Sequence, residues 1–126
     1  MGRKISIIVI SILLLSTSLL SVWYAKNVKE NLSALLEKTK ISAESENIEQ
    51  TKKLVEETQI YWEQQEQTLL IFISHDEVDQ LSDIISRLTS LIEHDDLSEF
   101  CSQIDEALNA IEHIWSIQVP VLQHVL

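Results

Sequence analysis

The sequence has almost no glycine or proline, with one of each among 126 residues. Tight β-hairpins and glycine-rich phosphate loops depend on residues that adopt positive φ without strain, and glycine is the usual choice. Their near absence argues against a β-rich fold and against a phosphate-binding loop. The composition therefore predicts an all-α protein.

Cysteine is equally scarce, since Cys101 is the one thiol in the sequence. A single cysteine excludes an intramolecular disulfide and a metal site built from several thiolates. Its place in an apolar helical pattern indicates a buried thiol that packs as a small hydrophobe, and the alternative is a reactive or intermolecular cysteine.

Basic residues are few in the second half of the chain. Residues 54–126 contain one arginine, Arg87, against fifteen acids, whereas residues 24–53 contain six lysines and five glutamates. Nucleic-acid binding relies on clustered lysine and arginine, so the negative charge of this half of the chain argues against a nucleic-acid partner. The acids are interpreted as a solvated surface, with cation binding as the alternative.

One long apolar run is present, from Ile5 to Trp23, after a short basic start. Nineteen helical residues span about 29 Å, which matches a hydrocarbon core of about 30 Å. Trp23 and Tyr24 close the run as an aromatic pair typical of membrane interfaces. The pattern predicts a single-pass anchor over residues 1–24, embedded through residues 5–23, and an acidic helical domain over residues 25–126.

The alternative for this segment is a cleavable signal peptide, which needs small residues at its cleavage site. Trp23 fits that rule poorly, so an uncleaved anchor is preferred. Arg3 and Lys4 favour a cytoplasmic N-terminus and an extracytoplasmic C-terminal domain, although Lys26 and Lys29 weaken the charge bias.

Apolar residues after the anchor recur at helical intervals and predict an antiparallel bundle of three to four helices. The first helix is expected to continue from the membrane segment. The stripes are Val28, Leu32, Leu35, Leu36 and Thr39; Ile48, Val55, Trp62 and Leu69, joined by Leu54 and Tyr61 and ending near Phe72 and Ile73; Val78, Leu81, Ile85, Leu88 and Ile92, broadened by Ile84 and Leu91; and Leu97, Cys101, Ile104, Leu108, Ile111 and Trp115, broadened by Phe100 and Ile114.

Helix starts are predicted from capping patterns. Ser74 and Glu77 have capping-box spacing, as do Asp96 and Glu99, and Asn47 is placed to cap a helix at Gln50. Two further predictions concern the C-terminus. Pro120 is expected to end or kink the last helix near Gln118, and the apolar tail after it is expected to dock on the bundle.

The strongest candidate site follows Ser74. His75, Asp79 and Asp83 share a helical spacing, Asp76 lies beside them, and together they could form a divalent-cation site. The alternative is ordinary helix capping on a solvated face, which is preferred. The remaining histidines, His94, His113 and His124, show no ligand spacing, and no serine lies in a nucleophile motif. We therefore assign no catalytic, cofactor or metal residue.

A resemblance covers most of the chain. The sequence resembles the domain of unknown function 4363 family, small membrane proteins of spore-forming Gram-positive bacteria, through its basic start, single apolar run and the residues Trp62, Phe72, Ile73, His75, Glu77, Val78, Asp79, Leu88, Leu108, His113, Ile114 and Val125-Leu126. It departs from the family pattern after Ile114, where Trp115-Ser116-Ile117 stands and the proline comes later. The resemblance implies a membrane-anchored helical domain and no particular activity.

The preferred function is a non-enzymatic structural or protein-interaction module held at the membrane, with a protein partner whose identity and stoichiometry the sequence leaves open. The alternative is a divalent-metal-dependent enzyme or regulator that uses His75, Asp76 and Asp79. A sensor bundle of the receptor type is disfavoured, because the sequence has no second membrane segment and no cytoplasmic output domain.

Overall fold

Four α-helices follow one another along the chain: α1 (Gly2–Glu44), α2 (Ile48–Leu69), α3 (His75–Glu93) and α4 (Leu97–Val125). They were obtained from a computed structural model, which describes the backbone of residues 2–71 and 73–125 and the side chains through Ser116. Every regular element in these residues is a helix. The all-α prediction is confirmed.

The helices form an antiparallel bundle with four sides. Each packs on its neighbour in sequence and α4 packs back on α1, whereas α1 and α3, like α2 and α4, lie diagonally across the bundle. Side chains join Tyr24 to Gln65 at one end of the α1–α2 pair and Ser42 to Thr51 at the other. These two contacts fix the opposite directions of α1 and α2.

The core is built from the apolar stripes that the sequence displays. Burial of one large apolar side chain contributes about 1.5 to 3 kcal/mol, so stability is shared among all four helices. The largest fully buried side chains are Leu32 and Leu36 of α1, Leu69 of α2, Leu81, Ile84, Ile85, Leu88 and Ile92 of α3, and Phe100, Ile104, Ile111 and Ile114 of α4.

Helix α1 has two halves in different surroundings. Its apolar first half is exposed, with Leu14 at 64% and Leu20 at 65%, whereas burial is complete at Ala25 and continues to Ala43. Hydroxyls in the first half bond back to the helix, as Thr17 does to the Leu13 carbonyl at 2.8 Å and Ser21 to the Thr17 carbonyl at 2.8 Å. The predicted continuity of the apolar run with the first bundle helix is confirmed, because α1 extends through both without interruption.

The connections α1–α2 and α3–α4 lie at the same end of the bundle and have the same geometry. Glu46 and Asp95 take positive φ, 59° and 55°. The amides of the residues after them, Asn47 and Asp96, bond to the carbonyls of Ser42 at 3.2 Å and Leu91 at 3.1 Å. This is the Schellman ending, which usually places glycine at the left-handed position.

The C-terminal predictions have a mixed outcome. Helix α4 extends past Pro120 to Val125, so an end near Gln118 is wrong, while the alternative of a kink there stays a prediction. A proline removes one backbone donor and crowds one carbonyl, while the hydrogen bonds on either side of it remain available to carry the helix on. The side chains of residues 117–126 lie outside the described part, and so does the predicted docking of the tail.

Candidate functional site

The corner between α2 and α3 differs from its prediction. Ser74 occupies the N-cap position with φ −62° and ψ 148°, but its side chain makes no cap hydrogen bond. One carboxylate oxygen of Glu77 is buried without a hydrogen-bond partner instead of reaching back to Ser74. The capping box is therefore absent here, because the Glu77 side chain turns towards the protein while the Ser74 hydroxyl stays exposed to solvent. Phe72 of this corner lies outside the described residues.

The other two predicted caps are confirmed. The Asn47 side chain accepts the Gln50 amide at 3.2 Å, and the Asp96 side chain accepts the Glu99 amide at 3.3 Å. Glu99 does not complete a reciprocal box, because its carboxylate accepts from the Gln103 side chain at 3.1 Å. Local spacing thus predicts the cap but not the orientation of the glutamate, which at Glu99 bonds to a side chain one turn further along its own helix.

The candidate cation site is not assembled. His75, Asp76, Asp79 and Asp83 are exposed on α3, and the described residues contain no group of three acids, histidines or cysteines able to hold a metal. Each step of four residues moves about 6 Å along a helix, whereas oxygen ligands of one cation lie roughly 2.0 to 2.6 Å from it. Two side chains one turn apart can share an ion, but Asp83 lies eight residues from His75, about 12 Å along the helix axis, so the three do not converge on a common ion.

The histidines elsewhere have local surroundings. His94 ends α3, and its Nδ1 lies 2.7 Å from the Ser90 carbonyl. His113 is exposed on α4. The His124 side chain lies outside the described part.

A polar network between α2 and α3 was missed at the sequence level. The indole N–H of Trp62, which is 3% exposed, donates to the Ser82 hydroxyl at 2.8 Å. Ser82 in turn donates to a carboxylate oxygen of Glu66 at 2.9 Å. A buried tryptophan signals that a partner must exist, but the sequence does not say which residue of another helix supplies it.

Two shallow clefts adjoin this network along the α2–α3 face, with volumes of about 240 and 260 Å³. Gln59 lines both, and its amide bonds to the Thr89 hydroxyl across the interface. Neither cleft is lined by histidine or cysteine. The carboxylates around them are Glu56, Glu63, Glu66 and Glu93. The first cleft also contains Lys52, which faces these carboxylates with an opposite charge. The two linings suit polar groups and place no histidine beside a hydroxyl or thiol.

Two ion pairs join α1 to α4. Lys40 bonds to Asp105 at 2.7 Å and Lys29 to Glu112 at 3.4 Å. The hydrogen bond to Asp105 is the main cause that raises the pKa of Lys40, partly opposed by desolvation. Exposed pairs like these contribute little to stability, so they align the helices more than they hold them together.

Cys101 lies half-buried at the edge of the α1–α4 face. Burial raises the pKa of its thiol, and the nearby carboxylate of Glu44 adds to the shift, while Lys40 opposes it. The thiol therefore stays protonated at neutral pH, as expected for a packing residue more than for a nucleophile.

Trp115 joins α4 to α1 where the exposed half of α1 ends. Its indole N–H donates to the Ala25 carbonyl at 2.7 Å, and both residues are buried. Together with the Tyr24–Gln65 contact, this bond places the first buried layer of the bundle directly after the apolar run. The bundle thus begins within two residues of the end of that run.

Comparison with known proteins gives one positive result. Neither a curated protein nor a solved structure matches the chain. The family model described as "Domain of unknown function (DUF4363)" matches residues 19–125, which include the last residues of the apolar run and nearly the whole bundle. The chain therefore belongs to the DUF4363 family.

Proposed function

We propose that this protein is a membrane-anchored, non-enzymatic module whose bundle contacts a protein partner outside the cytoplasmic membrane. The observation that carries the proposal is the two-part character of α1. Its first half is long and apolar enough to cross a membrane and is not covered by the bundle, whereas its second half is a core helix. A bundle that shares a helix with its anchor is held at a fixed place near the bilayer.

The orientation rests on charge. Arg3 and Lys4 precede the apolar run, and retention of lysine and arginine on the cytoplasmic side favours an N-terminus in the cytoplasm. The bundle then lies on the other side, where its acidic surface favours a partner of opposite charge.

The anchor is tested by alkaline carbonate extraction of membranes from cells that make the full chain. Leu14→Asp combined with Leu15→Asp should shift the protein to the soluble fraction, because an aspartate near the centre of a membrane helix costs roughly 2.5 to 3.5 kcal/mol. Ile41→Asp is the matched control, since Ile41 is similarly exposed but lies on the bundle half of α1. Membrane retention of the double variant, or release of the wild type, would refute the anchor.

The non-enzymatic role is tested against the metal-dependent alternative. Calorimetry of the full chain in detergent with Mn²⁺ or Zn²⁺ should give no binding heat that depends on His75, Asp76 or Asp79. A saturable heat that is lost in His75→Ala, with helical content unchanged, would favour the metal-dependent enzyme or regulator instead.

A further inference from the structure

The corner between α2 and α3 is unlike the other two corners in composition. The α1–α2 connection is Ser45-Glu46-Asn47 and the α3–α4 connection is His94-Asp95-Asp96, both wholly polar. Between α2 and α3 the chain reads Leu70 to Ser74, with apolar residues up to Ile73. Helix connections normally face water, so an apolar corner indicates different surroundings.

Ile71 stands at the tip of this corner and is 75% exposed. That is the highest exposure of any large apolar side chain described, and it exceeds even those of the apolar run. Its neighbours in the corner, Leu69 and Ile73, are buried and fix the backbone on either side. Ile71 is therefore an exposed apolar side chain between two buried ones.

The register of α2 against α1 places this corner beside the apolar run. Tyr24 contacts Gln65, and α2 continues from Gln65 to Leu69 in the direction of the α1 N-terminus. Four residues advance about 6 Å, and the corner then reaches further still.

We propose that the α2–α3 corner inserts Ile71 into the lipid bilayer that α1 crosses, as a second membrane contact of the bundle. This inference rests on the proposed anchoring of α1. An insertion of about 5 to 10 Å is the depth at which apolar side chains meet the boundary of headgroups and acyl chains. The corner lies about 6 Å or more from Tyr24 in the direction of the N-terminus of α1, beside the apolar run. This distance corresponds to that depth. The contact is apolar, so it needs no anionic lipid.

The consequence is a fixed orientation of the bundle. A single anchor helix leaves a domain free to tilt about it, whereas a second contact away from the helix axis restricts that tilt. The two polar corners then lie at the end of the bundle that is far from the bilayer, and helices α2 and α3 are roughly perpendicular to the membrane plane.

The test uses the full chain with Cys101→Ser, reconstituted in phosphatidylcholine vesicles, with a nitroxide spin label on one introduced cysteine at a time. Collision with oxygen reports lipid, and collision with a water-soluble nickel chelate reports water. The sites are Ile71→Cys, Ile41→Cys as an equally apolar and exposed control at the opposite end of the bundle, and Leu14→Cys as a probe of the anchor.

The expected result is lipid-like accessibility at positions 71 and 14 and water-like accessibility at position 41. Water-like accessibility at 71 with lipid-like accessibility at 14 would overturn the inference and leave the anchor intact. Water-like accessibility at 14 would overturn both. Shielding of position 71 from both reagents would overturn the lipid contact in favour of protein cover, and lipid-like accessibility at 41 would contradict the orientation.

Discussion

Two acidic residues, Glu46 and Asp95, hold the left-handed backbone positions that end α1 and α3. This conformation costs a residue with a side chain roughly 1 to 2 kcal/mol, because Cβ approaches the following carbonyl. Glu46→Gly should therefore raise the free energy of unfolding by up to about 1 kcal/mol, after the extra flexibility of glycine in the unfolded chain is subtracted. Urea unfolding of the full chain in detergent, followed by circular dichroism, measures the change.

Glu46→Ala is the control for that experiment. It removes the same carboxylate from a helix C-terminus, where negative charge is unfavourable, but keeps the Cβ atom. A glycine variant no more stable than the alanine variant would show that backbone strain at Glu46 is negligible.

Helix caps give a second prediction at the scale of single residues. Asn47→Ala and Asp96→Ala should each lower the free energy of unfolding by about 1 kcal/mol, because each side chain accepts an amide at the start of its helix. Ser74→Ala should cost clearly less, since the Ser74 hydroxyl makes no such bond. Equal losses at all three positions would mean that Ser74 caps α3 in solution.

The thiol of Cys101 gives a prediction about pH. Its folded-state pKa is raised, chiefly by burial, and the thiolate is the form that alkylates. At pH 8 the folded protein should react with iodoacetamide more slowly than the urea-unfolded protein, and the difference should shrink as the pH rises through the folded-state pKa. Reaction at the same rate in both states would contradict a shifted pKa.

At the scale of helices, the Trp62–Ser82–Glu66 network ties α2 to α3. Ser82→Ala leaves the buried indole N–H without its partner and should cost about 1 to 3 kcal/mol of stability. Ser86→Ala, one turn further along α3 and exposed, should change stability by less than about 0.5 kcal/mol. In a Trp62→Phe background the cost of Ser82→Ala should fall, and an unchanged cost would mean that the indole bond contributes nothing.

The helices illustrate what the sequence can and cannot predict. The stripes in α3 and α4 predict both the helices and their buried faces, because an apolar period near 3.6 fits a helix and not a strand, and these segments contain no glycine and no proline before Pro120. The same periodicity says nothing about which polar groups meet across an interface, so Ser82 and the Ala25 carbonyl were not foreseen as partners of Trp62 and Trp115. Those partners depend on the register of two helices, which is a tertiary property.

The alternative cation site shows the same limit. The sequence places His75, Asp76 and Asp79 close together along one helix, but a metal site requires convergence, which usually takes a second element. No described acid, histidine or cysteine from elsewhere completes the group. Proximity in sequence therefore suggests a ligand set that only the tertiary structure can complete.

At the scale of the whole molecule, the second half of α1 supplies one side of the core, so the bundle should not fold without it. A chain of residues 45–126 lacks the side of the bundle that holds Leu32 and Leu36 between α2 and α4. We expect this fragment to unfold without cooperativity and to bind a hydrophobic dye, whereas residues 24–126 should unfold cooperatively, because every core side chain from Ala25 onward is present. A synthetic peptide of residues 24–44, added in trans, should restore cooperativity to the shorter fragment. Cooperative unfolding of residues 45–126 as a monomer would show that three helices suffice, and that α1 serves the membrane alone.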